Sequence, residues 1–590
     1  MLTKTKIVCT LGPASWNKDI IIRLVQEGMN VARLNFSHTS PGDARGIVAI
    51  LKEIREEMQL PLAILLDTKG PEVRVYGHSD QRELLEGEQI TIRSFTGPDI
   101  ATAIAERPDL FLTNLPRLAE LAHPGQRILL MDGFIEGEVT TLRTEQQEID
   151  VRIKNPGRLR PKAHLTLPRT DYPLPFMSDK DREDIRFAIQ NGLDYLALSF
   201  VKDARDILQV KNLIHETDPE SDIKIIAKVE NKRAVDHMDE IIQHSDGIMV
   251  ARGDLGVELD IEEVPIIQKQ LIRRCYLSGK PVITATQMLE SMVENPLPTR
   301  AEASDVANAC YDQTSAVMLS GETAIGRYPT QVVRTMRRII AKAEGSIDYE
   351  RLLFSRPPME KSSDLTTIVT YNALTAAYQA SAKAIAVVTR SGYSARMLSR
   401  LRPGLPMYAF TYEPQVYHQL ALNWGIQPFC LDRAEVFEEL TQRVKAYCEE
   451  NGLARHGDLI VFVAGLPLGK KGTTNMIRIE TIGKTRIFGR CLNDRAAAGI
   501  VTIIENRDDL LAKEVHRRIL LLKLFRDDFI PWLKYARGII MESDDYADEL
   551  GDLGQAGEIP VILNAYGAEE LLRDGAAVEI DGARNVLVEL

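Results

Sequence analysis

Residues 223–256, IKIIAKVENKRAVDHMDEIIQHSDGIMVARGDLG, decide the reading of the chain. Ile223–Val229 is apolar and β-branched, which predicts a buried strand, and it ends in charge at Lys228, Glu230 and Asn231. A second apolar run, Gly247–Ala251, ends in Arg252-Gly253-Asp254-Leu255-Gly256. Buried strands that finish in ionisable groups fit the C-terminal rim of a parallel α/β barrel. In a continuing strand Lys228 and Glu230 point the same way. Glu230 and Asp254 then come from neighbouring strand ends and can share a divalent cation. Mg²⁺ prefers carboxylate oxygens and keeps open positions for substrate phosphates. The glycines of GDLG let backbone N–H groups approach an anion where a helix begins. A metal, a cation and an anion cradle together suit phosphoryl or enolate chemistry. A strand-end ion-pair network around Lys228 is the plainer account. It weakens because carboxylates recur at the next strand end beside a Gly-flanked turn.

Working outward, eight short apolar runs ending in polar or Gly-containing residues precede residue 325: 6–13, 31–38, 62–71, 195–200, 223–231, 247–254, 281–287 and 316–323. Helix-length amphipathic segments lie between most of them. This alternation predicts an α/β fold with a closed (β/α)8 TIM barrel, from 1–70 and 172–345. The long connection after the third run holds alternating strand-like pieces such as EGEQITIRSF and EQQEIDVRIKNPG. It predicts an inserted β-barrel lid at 71–171, since a structureless loop of that length is unusual. Strand–turn–helix signals then predict a separate α/β domain at 346–484 and a small appended α/β domain at 485–590.

At 590 residues the chain is too long for one core. Its 44% hydrophobic and 26% charged content is ordinary for a globular protein. A net charge of −12 argues against nucleic acid or an anionic membrane as main partner. Cys9, Cys275, Cys310, Cys430, Cys448 and Cys491 are scattered with no C-x-x-C pair, the pattern of reduced thiols in a cytoplasmic protein. The chain enters a strand almost at once, and no run is long enough to span a bilayer.

Other rim residues have two readings each. Arg33, Asn35, Ser37 and His38 end the second run, and Asp67, Thr68 and Lys69 the third. The oxygens of Asn35, Ser37, Asp67 and Thr68 suit a monovalent cation; for any one of them alone, ordinary loop capping is the plainer account. Arg33 stands apart, because a strand-embedded arginine needs an anionic partner or a barrel-top position. Thr284 and Thr286 alternate on PVITATQ, with Thr286 nearer the rim; Ser320 and Glu322 close the eighth run and can extend a proton relay. TRSGYSA (389–395) has the hydroxyls, arginine and glycine of a phosphate nest, and also those of a plain Ser/Gly turn. The loop GLPLGKKGTTN (465–475) adds Lys470, Lys471 and more hydroxyls.

At this point the residues resemble the pyruvate kinase family. IIAKVEN followed by SDGIMVARGDLGVE is similar to that family's catalytic signature; VARLNFSH, LLDTKGPEVR, ITATQMLESM, PTRAEASDVANA and MLSGETAIGRYP match in order. The resemblance runs from about residue 1 to 484 and is weakest in the insertion. It implies phosphoryl transfer from phosphoenolpyruvate to ADP, giving pyruvate and ATP, by a homotetramer using Mg²⁺ and K⁺. It implies that Lys228 neutralises the transferring phosphoryl group and Arg33 binds its phosphate. Glu230 and Asp254 would hold Mg²⁺. The Gly253 and Asp254 backbone, with Thr286, would hold the substrate carboxylate. Asn35, Ser37, Asp67 and Thr68 would hold K⁺, and Asn35, His38, Arg74 and Lys180 would serve the nucleotide. Glu72, in DTKGPE, implies K⁺ dependence. The effector loops resemble those binding a phosphorylated metabolite, with Thr389, Arg390, Ser391, Ser394 and Thr473 as its residues.

Two departures stand out. The return from the lid, RPKAHLTLPRTDYPLPFMSDKD, is longer than the family's pattern. The 485–590 tail resembles the swivelling domain of phosphoenolpyruvate-utilising enzymes. Its one histidine, His516, lies in the charged LAKEVHRRILLL, read as helical, so the tail is expected to be silent in phosphotransfer. A Mg²⁺-dependent barrel lyase on an oxoacid and a catalytically silent metabolite sensor are the alternative functions.

Overall fold

The computed structural model describes residues 3–77, 81–95, 107, 109–355, 364–434, 436–455, 457–466, 474–483, 486–555 and 559–590. The chain forms two compact units, one of residues 1–371 with 387–430 and one of 372–386 with 431–590.

In the first unit the eight apolar runs become eight parallel strands: Lys6–Leu11, Met29–Asn35, Ala63–Asp67, Tyr195–Leu198, Lys224–Val229, Gly247–Ala251, Val282–Ala285 and Ala316–Leu319. They close into a barrel, the first strand pairing with both the second and the eighth. The barrel is a packed core, not a pore. Val8, Val31, Leu65, Ile226, Met249 and Met318 fill its interior, joined by Ala421 and Leu422 from the segment 387–430. Lys6 and Tyr195, at strand starts, donate to the carbonyls of Ile426 (2.7 Å) and Gln419 (2.6 Å), so this segment covers the barrel's N-terminal end. The C-terminal mouth is left for chemistry.

The insertion after the third strand is a closed seven-stranded barrel in the order 148–153, 89–94, 110–113, 74–76, 163–166, 127–130 and 135–143, as its alternating pattern predicts. The chain returns into the helix Asp179–Gln190, whose Ser178 and Asp181 form a capping box. Asp181 also accepts the Gly70 N–H at 3.1 Å, which ties the lid's departure to its return.

In the second unit Leu459–Gly465 pairs antiparallel with Thr474–Thr481. The tail forms an eight-stranded sheet, with Ala496–Ile504, Ile519–Leu522, Gly538–Met541 and Val561–Leu563 running parallel at its centre. The helical reading of LAKEVHRRILLL is corrected here. The helix Arg507–Ala512 stops before the histidine, His516 sits exposed in a turn, and Ile519–Leu522 is a buried strand. A short apolar run carries no periodicity to separate the two states, and pairing on both sides settles it. Among the described residues all six cysteines are free, and no helix is long and apolar enough to cross a membrane.

Candidate active site

Strand register assembles the mouth. Thr10 lies beside Arg33, Asn35 beside Asp67, Asp67 beside Ala197 and Leu198 beside Ala227, so successive polar termini gather on one rim. The result is a buried chain of alternating charge. Arg33 donates through Nε to Asp67 Oδ2 at 2.7 Å and through Nη1 to Thr10 Oγ1 at 2.8 Å. Lys228 Nζ reaches Asp67 Oδ1 at 3.2 Å, Glu230 Oε1 at 2.8 Å and Ser199 Oγ at 2.7 Å. Phe200 N–H donates to Glu230 Oε2 at 2.6 Å.

The electrostatics follow from this order. Burial pushes the Asp67 carboxyl up, but Arg33 and Lys228 outweigh it and hold it below the usual carboxylate range. Burial works against the Lys228 ammonium, and Asp67 and Glu230 overcome it, so the lysine stays charged. Glu230 is raised, first by burial; Lys228 opposes this and the charge of Asp254 adds to it. A buried carboxylate whose ionisation is made costlier by the charge of a second one beside it is a fit for a divalent cation. The hard oxygens of the two suit Mg²⁺, which takes one or two protein carboxylates and completes its shell from water and substrate. Among the described residues no cluster of three or more His, Cys, Asp or Glu competes as a metal site.

Asp254 sits in the first turn of the helix Arg252–Glu258, which starts directly after the sixth strand. Its neighbour Gly253 donates its N–H to Thr286 Oγ1 at 2.9 Å, and Thr286 donates to Ala285 O at 2.7 Å. Thr286 and Gln287 have φ of +61° and +53°. A β-branched residue in the left-handed region is strained, and such strain persists only where surrounding contacts hold it. Arg252 holds it: it donates to Thr286 O (2.6 Å), Ala285 O (3.1 Å) and both carboxylate oxygens of Asp305 (2.9 and 2.7 Å). Thr284, by contrast, is fully buried and bonded to Thr314. Glu322 is likewise buried, its oxygens taken by the N–H groups of Leu289 and Ser320.

The other residues singled out in the sequence fall around this centre. Asn35 Oδ1 accepts the Ser37 N–H at 3.1 Å, Thr68 Oγ1 accepts the Ser199 N–H at 3.2 Å, and His38 is exposed. Arg74 and Glu72 pair at 2.5 Å where the chain enters the lid. Lys180 bonds Asp184 (2.5 Å) and Phe36 O (2.9 Å). From the lid, His164 contacts Asp132 at 3.1 Å and shares a pocket with Asp254, Phe200 and Glu258. Burial opposes protonation of His164, but Asp132, then Asp254 and Glu72, hold the imidazole above its ordinary pKa. Burial pushes Glu258 up to about 7, while it accepts the Arg169 N–H at 3.3 Å.

Of the residues expected to bind an effector, Thr389, Arg390, Ser391 and Ser394 lie on a separate strand–turn–helix. Thr389 is buried and its N–H donates to Phe410 O at 2.9 Å; Arg390 faces Glu413 at 3.4 Å. The Ser391 carbonyl accepts from Arg396 at 3.1 Å, and Ser394 is buried in the first turn of Tyr393–Arg400. Thr473, with Lys470 and Lys471, lies outside the described residues.

Thr10, Ser199, the Arg252–Asp305 clamp and the lid's His164 were not given roles by sequence. The available signal was position alone, since Thr10 and Ser199 are polar residues at the ends of barrel strands.

Fold and site together define a lid-bearing (β/α)8 phosphotransferase. Comparison with known proteins narrows this: family models match the pyruvate kinase barrel domain at residues 2–333 and the pyruvate kinase alpha/beta domain at 368–480. The chain belongs to the pyruvate kinase family. It is 38% identical over 587 residues to a pyruvate kinase of Sporosarcina psychrophila, covering 99% of each chain. It is 38% identical over 589 residues to one of Staphylococcus aureus, covering 100% of this chain and 99% of the relative. These alignments run the length of the chain, so the 485–590 segment is shared with both relatives. A solved pyruvate kinase structure from Cryptosporidium parvum superposes with a TM-score of 0.75 at 34% identity, covering 82% of this chain and 96% of that one.

Proposed function

We propose that this chain transfers the phosphoryl group of phosphoenolpyruvate to ADP. The P–O bond to the enol oxygen breaks, a P–O bond to the terminal oxygen of ADP forms, and the enolate takes a proton to give pyruvate. The observation that carries this reading is the buried Arg33–Asp67–Lys228–Glu230 chain beside Asp254. Phosphoryl transfer needs little covalent help from the protein; it needs in-line positioning and positive charge for oxygens that grow more negative. Arg33 and Lys228 supply fixed positive charge, held in place by the shared Asp67. The Gly253 and Asp254 backbone, with Thr286, holds the substrate carboxylate, and Thr286 Oγ relays a water proton to the enolate. Glu230 and Asp254 would hold Mg²⁺, which would supply positive charge to the substrate phosphates. Asn35, Ser37, Asp67 and Thr68 would hold K⁺. Asn35, His38, Arg74 and Lys180 face the nucleotide, and the lid excludes water.

The proposed layout is a barrel of 1–70 and 172–345, a lid of 71–171, a regulatory domain of 346–484 and a tail of 485–590. The assembly is a homotetramer in the cytoplasm. A phosphorylated metabolite acts through Thr389, Arg390, Ser391, Ser394 and Thr473.

The test is ADP-dependent pyruvate formation from phosphoenolpyruvate, with and without Mg²⁺ and K⁺. Activity only with ADP and Mg²⁺ is expected. Pyruvate formed without ADP points to a lyase, and no turnover to a sensor. Lys228→Met leaves Asp67 and Glu230 without their shared cation, a change on the order of 3–5 kcal/mol. It should abolish turnover; a variant within about tenfold of wild type refutes the assigned role.

A further inference from the structure

The hydroxyl of Ser199 holds a place in the site that its sequence does not advertise. Lys228 Nζ has three protons and three protein partners, the Ser199 hydroxyl at 2.7 Å and the carboxylates of Glu230 (2.8 Å) and Asp67 (3.2 Å). The hydroxyl is the one uncharged member of the set and the nearest. Its single proton has two acceptors in reach, Thr68 O at 2.7 Å and Asp67 Oδ1 at 3.2 Å. The shorter bond to the carbonyl leaves a lone pair facing the ammonium.

Ser199 is itself fixed from both sides. Its N–H donates to Thr68 Oγ1 at 3.2 Å, so two bonds join the ends of the third and fourth barrel strands. Gly70, at φ +70°, lies against it: a Cβ there would come within 2.9 Å of Ser199 Cβ. Only glycine lets the lid's departing chain pass this close. Ser199 is 3% exposed.

We infer that Ser199 is a positioning residue for phosphoryl transfer: its hydroxyl holds Lys228 Nζ between the two carboxylates, aimed at the mouth. Without the hydroxyl the ammonium has only Asp67 and Glu230 for partners and settles toward them, away from a substrate phosphate. This inference rests on the proposed function, and the experiment separates the two.

Steady-state kinetics with phosphoenolpyruvate and ADP are measured for wild type, Ser199→Ala and Ser199→Cys, with thermal unfolding alongside. The expected result is a kcat lowered ~10–100-fold in Ser199→Ala, as for other outer partners of site groups. KM for phosphoenolpyruvate should stay within about threefold, because the hydroxyl acts on Lys228 and not on substrate binding as such. Ser199→Cys keeps a weak donor and acceptor in the same space, so its kcat should lie between the two. If Ser199→Ala fails to fold, the cysteine variant carries the same comparison. A kcat within twofold of wild type in Ser199→Ala, or a loss confined to KM, overturns the inference and leaves the proposed function standing. Absence of ADP-dependent pyruvate from the wild type overturns the proposed function and the inference with it.

Discussion

Replacing Arg252 by lysine tests whether the seventh strand's end is held or merely well packed. The guanidinium reaches Thr286 O at 2.6 Å, Ala285 O at 3.1 Å and both Asp305 oxygens at 2.9 and 2.7 Å. Nε, Nη1 and Nη2 each take a different acceptor, a planar fork that a single ammonium nitrogen cannot reproduce, so Arg252→Lys is not conservative here. It keeps the charge facing Asp305 and gives up the carbonyl contacts that restrain Thr286 at φ +61°. The strain in such a residue is about 1–3 kcal/mol, so the peptide is free to relax once the clamp opens. A hydrogen bond to a charged group contributes about 1.5–3 kcal/mol. Loss of even one in the reacting complex lowers kcat/KM by about 10- to 150-fold. Because Thr286 is proposed to orient the substrate carboxylate, KM for phosphoenolpyruvate should rise together with the fall in kcat. The assay is steady-state kinetics with each parameter resolved, with thermal unfolding measured in parallel. Retention of kcat/KM within about threefold of wild type would refute the reasoning, since the clamp would then hold nothing the reaction needs.

Three further outcomes are expected. Burial raises the Glu258 carboxyl to about 7, well above the usual glutamate range. Its contribution to stability is therefore fully present below the unfolded value and lost as pH rises through about 7, an effect of about 3 kcal/mol. Glu258→Gln should flatten the decline in thermal midpoint between about pH 5 and 8, and parallel wild-type and variant curves would exclude it. Glu72 pairs with Arg74 and lies 3.7 Å from Lys69, so Glu72→Lys changes the charge beside the proposed K⁺ ligands. The variant should turn over without K⁺, and an unchanged K⁺ response rules the idea out. Ser391→Asp places a negative charge in the proposed phosphate nest and should abolish activation by a phosphorylated metabolite; a variant that keeps the full response removes Ser391 from the site.

How much of this was legible differs from residue to residue. Lys228, Glu230 and Asp254 announced themselves because ionisable groups at the ends of apolar β-branched runs have few other places to be. The helical reading around His516 fails because ILLL has no period of its own, and pairing with strands on either side sets its state.

The sequence by itself determined the eight-run rhythm, the insertion after the third run and the charged termini, because periodicity and polarity are local properties of the chain. Only the tertiary structure decided the partners. Parallel register places Ser199 against Lys228 and Thr10 against Arg33, and the turn after the seventh strand brings Thr286 to Gly253. Those contacts join residues far apart in the chain, and a hydroxyl at a strand end carries no mark of what it will meet until the barrel closes.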